Sequence, residues 1–253
     1  MRISIITACL NSVGTIADTL SSVASQRSVE VEHIVVDGGS RDGTLEVIRR
    51  HPWKPAKIIS ERDDGVYYAM NKGLELATGE VIGFLNADDF YADDTVLEDV
   101  ARVLEEPTVD ACYGDLVYVA ADDVARSVRY WKSTEYKPGL CLTGWMPAHP
   151  TFYARKRVYD ELGGFDCTFR RQSDFELTTR FLEVHKIRCT YVPRVLVKMR
   201  TGGISNRSAI GVIKGNFEAY AALRRLGFRV PPWFVIRKVL SRLPQFLARG
   251  TVK

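Results

Sequence analysis

Val81-Ile-Gly-Phe-Leu-Asn-Ala-Asp-Asp89 is five apolar residues cut off by a polar, acidic cluster. A short apolar run ended this way reads as a buried strand whose carboxyl end meets solvent. The pattern recurs on the amino-terminal side. Ile3–Ala8, Val31–Val36 and Ala56–Ile59 are further strand-like runs. Between them Ile16, Leu20 and Val23, then Leu45 and Ile48, then Tyr67, Met70, Leu74 and Ala77 fall at helical spacing, and Thr95–Leu104 follows as another amphipathic helix. Strand–helix alternation predicts an α/β fold with a Rossmann-like, mainly parallel sheet flanked by helices. Ligands of such sheets bind at the carboxyl ends of the strands. The polar clusters Thr7–Asn11, Asp37–Thr44 and Asn86–Asp89 all stand there.

Beyond residue 110 the alternation breaks. Ala111–Val119, Val128–Trp131 and Ile187–Met199 read as strands, Tyr136–Pro150 as loop, Gly163–Asp166 as a turn and Ser173–His185 as a helix. This second half predicts a mixed sheet, followed by a C-terminal helical extension with helices over Phe217–Leu226 and Trp233–Leu247, the latter kinked at Pro244.

The chain has 253 residues, 46% of them hydrophobic and 26% charged, which excludes disordered, collagenous and coiled-coil classes. Five cysteines without close pairs exclude a disulfide framework, and four scattered histidines argue against a His-built metal site. No segment has the ~18 apolar residues that span a bilayer. The net charge of +4 conceals an asymmetry. Residues 201–253 carry ten Lys/Arg against Glu218 alone, so the body is acidic and the end strongly basic.

Three carboxylate positions carry chemistry. Asp88 and Asp89 at a strand end suit a hard divalent cation held against a diphosphate, or else a turn capping the next helix. Asp37, before Gly38-Gly39, suits a base-ring N–H or a strand-ending turn capped by Ser40 or Asp42. Ser173-Asp-Phe-Glu176 has capping-box spacing, with Ser173 as N-cap and Glu176 at N3; the box makes no demand on Asp174, a carboxylate fixed on a rigid element and suited to general base work.

Taken in order, Ile3–Asn11, Val35-Val-Asp-Gly-Gly-Ser-Arg-Asp-Gly-Thr44, Glu61-Arg-Asp-Asp-Gly-Val-Tyr-Tyr-Ala-Met-Asn-Lys-Gly73, Gly83–Asp89, and Gly163-Gly-Phe-Asp166 with Ser173–Leu177 resemble family 2 of the inverting glycosyltransferases. The resemblance covers residues 1–205 and implies a GT-A fold, with 1–110 as nucleotide-sugar-binding half and 111–205 as acceptor-binding half. It implies transfer of a sugar from a nucleoside-diphosphate sugar, UDP favoured, to a hydroxyl of a glycan or lipid-linked acceptor, with Mn²⁺ or Mg²⁺. By position, Thr7, Ala8, Asn11, Asp37, Asp63, Lys72, Asn86, Ala87 and Asp88 would bind the donor, Asp88 with Asp89 the metal, and Asp174 would be the base. Asn86 replaces the first acid of the DxD motif, Ser173 an acid that often precedes the base, and Met70 a phosphate-binding Arg. Lys72 or Arg200 is left to meet the phosphates, and His149 and Ser173 stand where acceptor or diphosphate contacts are expected.

Two other readings stand beside this one. A sugar nucleotidyltransferase needs a Gly-rich basic loop after the first strand, and Thr7–Asn11 is not one. A catalytically silent sugar-nucleotide-binding scaffold has no need of both Asp88 and Asp174.

In the tail, residues 206–253, Trp233, Phe234, Ile236, Val239, Leu240, Leu243, Phe246 and Leu247 make an apolar face, with Arg237, Lys238, Arg242 and Arg249 elsewhere. Such a helix either lies on an anionic membrane surface or packs on the body with solvated arginines. The first reading predicts a cytoplasmic protein peripheral on the inner face of the membrane. No recognition module accompanies the charge, so no nucleic-acid partner is expected.

Overall fold

The computed structural model describes residues 1–202, 209–231 and 233–240. Four parallel strands, β1 (Arg2–Cys9), β2 (Glu30–Asp37), β3 (Lys57–Ser60) and β4 (Val81–Phe84), lie in the order β3-β2-β1-β4. The sheet then turns mixed. β8 (Tyr153–Arg155) runs antiparallel to β4 and to β6 (Ala111–Val119). β6 is parallel to β9 (Cys189–Arg200), β9 antiparallel to β5 (Asp89–Tyr91), and β7 (Ser127–Trp131) pairs with β6.

Strand residues alternate between the two faces of the sheet, as the pleat requires, and feed three apolar clusters. Ile3 and Ile5 pack with Val96, Val100 and Leu104 of α4 (Val96–Leu104). Ile6, Ile34 and Val36 face Tyr67 and Met70 of α3 (Val66–Leu76), and the same cluster takes in Val158 and Tyr159 of α5 (Lys156–Leu162) and Leu177 of α6 (Ser173–Thr179). Val35 packs with Ile16 and Leu20 of α1 (Ile16–Ala24) and Ile48 of α2 (Thr44–Arg50). β1 and β4, covered on both faces, are buried almost throughout, whereas the edge strand β3 is only half-buried. At Gly83 a Cβ would fall 2.4 Å from the Tyr153 ring, so glycine permits the close approach of β4 and β8.

Three expectations need correction. Ser173 is not the N-cap; Gln172 is, and Ser173 is the first helical residue, fully buried. Glu176 does not close a capping box, because Arg180 claims it as a partner one turn on, at 2.8 Å. The helix expected to run to His185 is α-helical only to Thr179. Arg180–Val184 is a π segment, in which Glu183 reaches across to accept the backbone N–H groups of Gly139 and Cys141. Last, Asp89 does not belong to a turn capping the next helix, since it begins β5 and pairs with Met199 of β9. The helix α4 (Val96–Leu104) has Thr95 as its N-cap, and Asp93 accepts from the Thr95 N–H at 3.0 Å in the turn before it.

The C-terminal extension comprises α7 (Ala209–Arg225) and α8 (Phe234–Leu240); the rest of the expected second helix, with Pro244, lies outside the described residues. Ala219, Ala222, Leu223, Val230 and Phe234 pack on Met146, Phe169 and Phe175 of the body. Lys238, expected on a solvated face, is fully buried. Among the described residues no helix is long and apolar enough to cross a membrane.

Glu32 ties the first layer together, though no motif marks it. Only 2% exposed, it accepts from Ser4 Oγ at 2.5 Å and from the Thr78 N–H and hydroxyl at 2.7 and 2.8 Å, with Arg2 and Lys57 nearby. Burial alone would raise its pKa, but these bonds hold it at about 2, below the ordinary 4.5. The carboxylate therefore contributes stability above about pH 4.5 that is lost as pH falls towards 2. Glu32→Gln is expected to cost about 2–3 kcal/mol at neutral pH and progressively less in acid, measured by urea denaturation at each pH; an equal cost at pH 3 and pH 7 would contradict the linkage.

Candidate active site

β1 lies between β2 and β4, so the strand order reverses beside it and a crevice opens at the carboxyl ends. Around that rim stand Thr7 and Ala8 near the end of β1 with Asn11 just beyond it, Asp37 at the end of β2, and Asn86-Ala87-Asp88 after β4. The loops are buttressed to each other. Asn11, at φ 50°, accepts from the Arg41 N–H at 3.0 Å and donates its own N–H to Ser40 Oγ at 2.7 Å; Asp42 accepts from the Val13 N–H.

Thr7 is fully buried, its Oγ1 3.0 Å from His33 Nε2. Trp53 Nε1 donates to His33 Nδ1, which places the imidazole proton on Nε2 and makes Thr7 Oγ1 the acceptor. Burial holds His33 near pKa 3, so it stays neutral. Ala8 is buried as well. Thr7 thus supports the crevice floor.

Asp37 is fully buried and satisfied from within. Ser60 Oγ donates to Oδ2 at 2.7 Å, the Ser40 N–H at 3.0 Å and the Gly39 N–H at 3.2 Å, while Ser40 Oγ donates to Oδ1. Burial raises its pKa, but the Ser40 and Ser60 bonds prevail and lower it, so it is anionic. Two of its donors are hydroxyls, which can rotate away from an arriving N–H as amides cannot. Nearby, Lys72 pairs with Asp63 and Glu61, each at 2.5 Å, and so is turned to the 61–65 loop. That loop and Arg170 line a cavity of about 600 Å³ with Asp63, Asp64 and Tyr68. Met70 is buried in the core.

At the end of β4, Ala87 is buried and Asn86 donates to Asp89 Oδ2 at 3.2 Å. Asp89 is only 1% exposed, and its Oδ1 has no partner among the described residues. Burial, then the charge of Asp88, pushes its pKa well up, which favours the protonated form. Asp88 is the half-exposed member of the pair; burial raises its pKa and Arg200 partly opposes this. Arg200, at the end of β9, donates to the Asp88 carbonyl at 3.1 Å, pairs with Asp18 of α1 and lies 5.0 Å from the Phe90 ring centroid. The loop expected to follow it falls outside the described residues from Gly203 to Ser208. Among the described residues no cluster of three or more His, Cys, Asp or Glu could cage a metal. One available hard carboxylate, disfavoured as an anion by its burial, fits a cation whose remaining ligands are diphosphate oxygens and water.

Asp174 comes from the other half of the molecule. Tyr67 of α3 donates its hydroxyl to Asp174 Oδ1 at 3.2 Å, and the Phe175 N–H donates to the same oxygen at 2.9 Å. The Tyr67 ring stacks on Phe165 at 5.3 Å. His149 lies in the same aromatic group, stacked on Phe84 at 5.8 Å and edge-on to Phe165 at 5.7 Å, with Nε2 buried and unpaired among the described residues. Burial lowers its pKa, and the Asp174 charge partly offsets that. Ser173 Oγ is likewise buried without a partner among the described residues. Tyr67 escaped the sequence reading because at helical spacing it counts as one more apolar residue; its hydroxyl, where Leu or Phe would fill the core, was the available signal.

The profile of glycosyl transferase family 2 matches residues 4–175. The chain belongs to this family. It is 30% identical over 253 residues to a PGL/p-HBAD biosynthesis glycosyltransferase of Mycobacterium tuberculosis, covering 94% of this chain and 92% of the relative. It is 28% identical to the putative glycosyltransferase EpsE of Bacillus subtilis, covering 95% and 88%. Among solved structures it superposes on residues 1–349 of S. aureus TarS in complex with UDP, with a TM-score of 0.68 at 17% identity, covering 96% of this chain and 72% of that one. It also superposes on the mannosyltransferase PcManGT of Pyrobaculum calidifontis in complex with GDP-Man and Mn²⁺, with a TM-score of 0.67 at 19% identity, covering 98% and 73%. The fold is thus of the GT-A type, and the chain is a glycosyltransferase.

Proposed function

We propose that this family 2 enzyme transfers a sugar, with inversion, from a nucleoside-diphosphate sugar to a hydroxyl of a glycan or lipid-linked acceptor, by a metal-assisted single displacement, with UDP the favoured carrier. The observation that carries the reading is the Tyr67–Asp174 bond, which fixes a carboxylate of the second half against α3, the helix packed on β1 and β2 of the first. Both hydrogen bonds to that carboxylate among the described residues fall on Oδ1, leaving Oδ2 to take a proton. Nucleotide-sugar and Mn²⁺ complexes of the structural neighbours support the donor class and a divalent ion, Mn²⁺ or Mg²⁺.

On this reading Asp37 accepts a base N–H as Ser40 or Ser60 rotates aside, with Asp63 closing over the base. Asn86 and Asp88 face the ribose and diphosphate. Asp174 Oδ2 takes the acceptor hydroxyl's proton as the oxygen attacks the anomeric carbon and the bond to the diphosphate breaks. Neutral His149 offers Nε2 to the acceptor or leaving group. A cation bound at Asp88 would supply charge stabilisation on the departing diphosphate. A panel of nucleotide sugars with Mn²⁺ or Mg²⁺, read by thermal stabilisation and nucleoside-diphosphate release, should single out UDP-sugars; no response to any of them would reject the reading.

The described tail supports a peripheral membrane position. Ile213 and Phe217 of α7, one turn apart, are 54% and 60% exposed, Trp233 is 57% exposed, and Lys214, Arg224, Arg229 and Arg237 of the same stretch of chain are exposed as well. Phe217→Ser with Trp233→Ser should weaken co-sedimentation with anionic liposomes several-fold while leaving the fold intact; equal binding would reject the membrane role.

A further inference from the structure

The stretch from Asp166 to Gln172, which leads into α6 and Asp174, is gripped repeatedly by the C-terminal helices. Arg225 pairs with Asp166 at 2.6 Å and donates to Thr168 Oγ1 at 2.7 Å. Glu218 accepts the Arg171 N–H at 2.7 Å. Gly215 brings the α7 backbone close to the Gln172 side chain, where a Cβ would lie 3.5 Å from Nε2. The innermost contact is Lys238 of α8. Fully buried, its Nζ donates to Gln172 Oε1 at 2.8 Å and sits 3.8 Å from the Phe175 ring centroid. Its stem runs against Gly144, where a Cβ would fall 2.8 Å from it, so glycine leaves room for the lysine in the loop that also carries His149.

A buried ammonium is retained only where its partners hold it. Two of those partners here are the residues two before and one after Asp174. We propose that Lys238 is a positioning residue for the base: by fixing Gln172 and Phe175 it sets the first turn of α6, and with it the direction in which Asp174 Oδ2 points. This rests on Asp174 being the base of the proposed reaction. A carboxylate rotated off line loses rate without losing donor affinity, because the donor is held by the strand ends of the other half.

The test uses the full chain and the acceptor and donor that the wild type turns over. Lys238→Met keeps the stem and removes the ammonium; Gln172→Met keeps the lysine and removes its acceptor. Each is expected to lower kcat roughly 10- to 100-fold with donor KM within about threefold. The double variant should be no worse than the poorer single one, since both break one contact. Undiminished kcat in folded Lys238→Met, or in Gln172→Met should Lys238→Met not fold, overturns the proposal. So do additive losses, or a rise in donor KM matching the fall in kcat. Wild type that transfers nothing, or Asp174→Asn that transfers normally, instead overturns the reading of the base.

Discussion

Asp174→Asn is expected to lower kcat for transfer by roughly 10²–10⁴-fold, the usual worth of a general base, while nucleotide-sugar affinity stays within about twofold. The asparagine preserves the shape and can still accept from the Tyr67 hydroxyl and the Phe175 N–H, the two bonds that hold the carboxylate. Folding should therefore be little changed, and thermal melting checks that directly. What disappears is the lone pair that takes the acceptor's proton. Donor binding by calorimetry and nucleoside-diphosphate release with acceptor present separate the two effects. Tyr67→Phe provides the contrast: it frees the base from a donor and loosens it, so kcat should move far less than in Asp174→Asn. Full transfer by Asp174→Asn would sink the base assignment.

The strand–helix order of the first hundred residues was legible because apolar runs and helical spacing are local, and β1 and β4 are buried on both faces. The boundaries of β1 to β4 accordingly fall within a residue or so of those expected. Features that depend on distant partners were not legible. Ser173-Asp-Phe-Glu176 has the spacing of a capping box, yet Glu176 is taken by Arg180 and Ser173 is drawn into the core. Lys238 reads as a solvated charge on an amphipathic helix, and only its approach to Phe175 and Gln172 shows why it is buried. The site follows the same division. The strand ends announce Asp37 and Asp88, whereas Tyr67 meets Asp174 across 107 positions of sequence.

The C-terminal helices also change what the catalytic unit is. The family profile ends at residue 175, immediately after the proposed base, and the resemblance by motif ends near 205. Yet Phe175 itself packs against Phe234, with ring centroids 6.5 Å apart, and Arg171 and Gln172 are held from α7 and α8. Removing the tail would expose this core as well as delete the proposed membrane-facing surface. Substitutions at exposed Phe217 and Trp233 therefore test membrane binding more cleanly than truncation does.

Asp88→Ala should abolish the metal-dependent part of donor binding, a loss of at least roughly 100-fold in affinity when Mn²⁺ is present, given that even residues behind a ligand are worth 10–100-fold. The same substitution should leave the metal-free melting temperature unchanged or raise it. Burial pushes the Asp88 pKa up, so the folded protein loses stability as pH rises through the ordinary carboxylate pKa, the cost is complete above the folded pKa, and the alanine removes it. Asp89, whose pKa burial and then the charge of Asp88 push well up, accepts from Asn86. The pH dependence follows with its sign. As pH falls towards the raised pKa of Asp88, protons compete with the cation, so metal-supported donor affinity should decline in acid; Asp37, whose pKa is lowered, should still be ionised there. Calorimetric titration of nucleoside diphosphate with and without Mn²⁺, from about pH 8 to about pH 5, reads both effects. Wild-type affinity that is metal-dependent and falls with pH, set against Asp88→Ala affinity that is weak, metal-independent and flat, is the expected pair of curves. Metal-dependent binding of wild-type strength in Asp88→Ala would move the cation elsewhere on the rim. A site of this design trades stability in the empty protein for a carboxylate that gains most when a cation and a diphosphate arrive together.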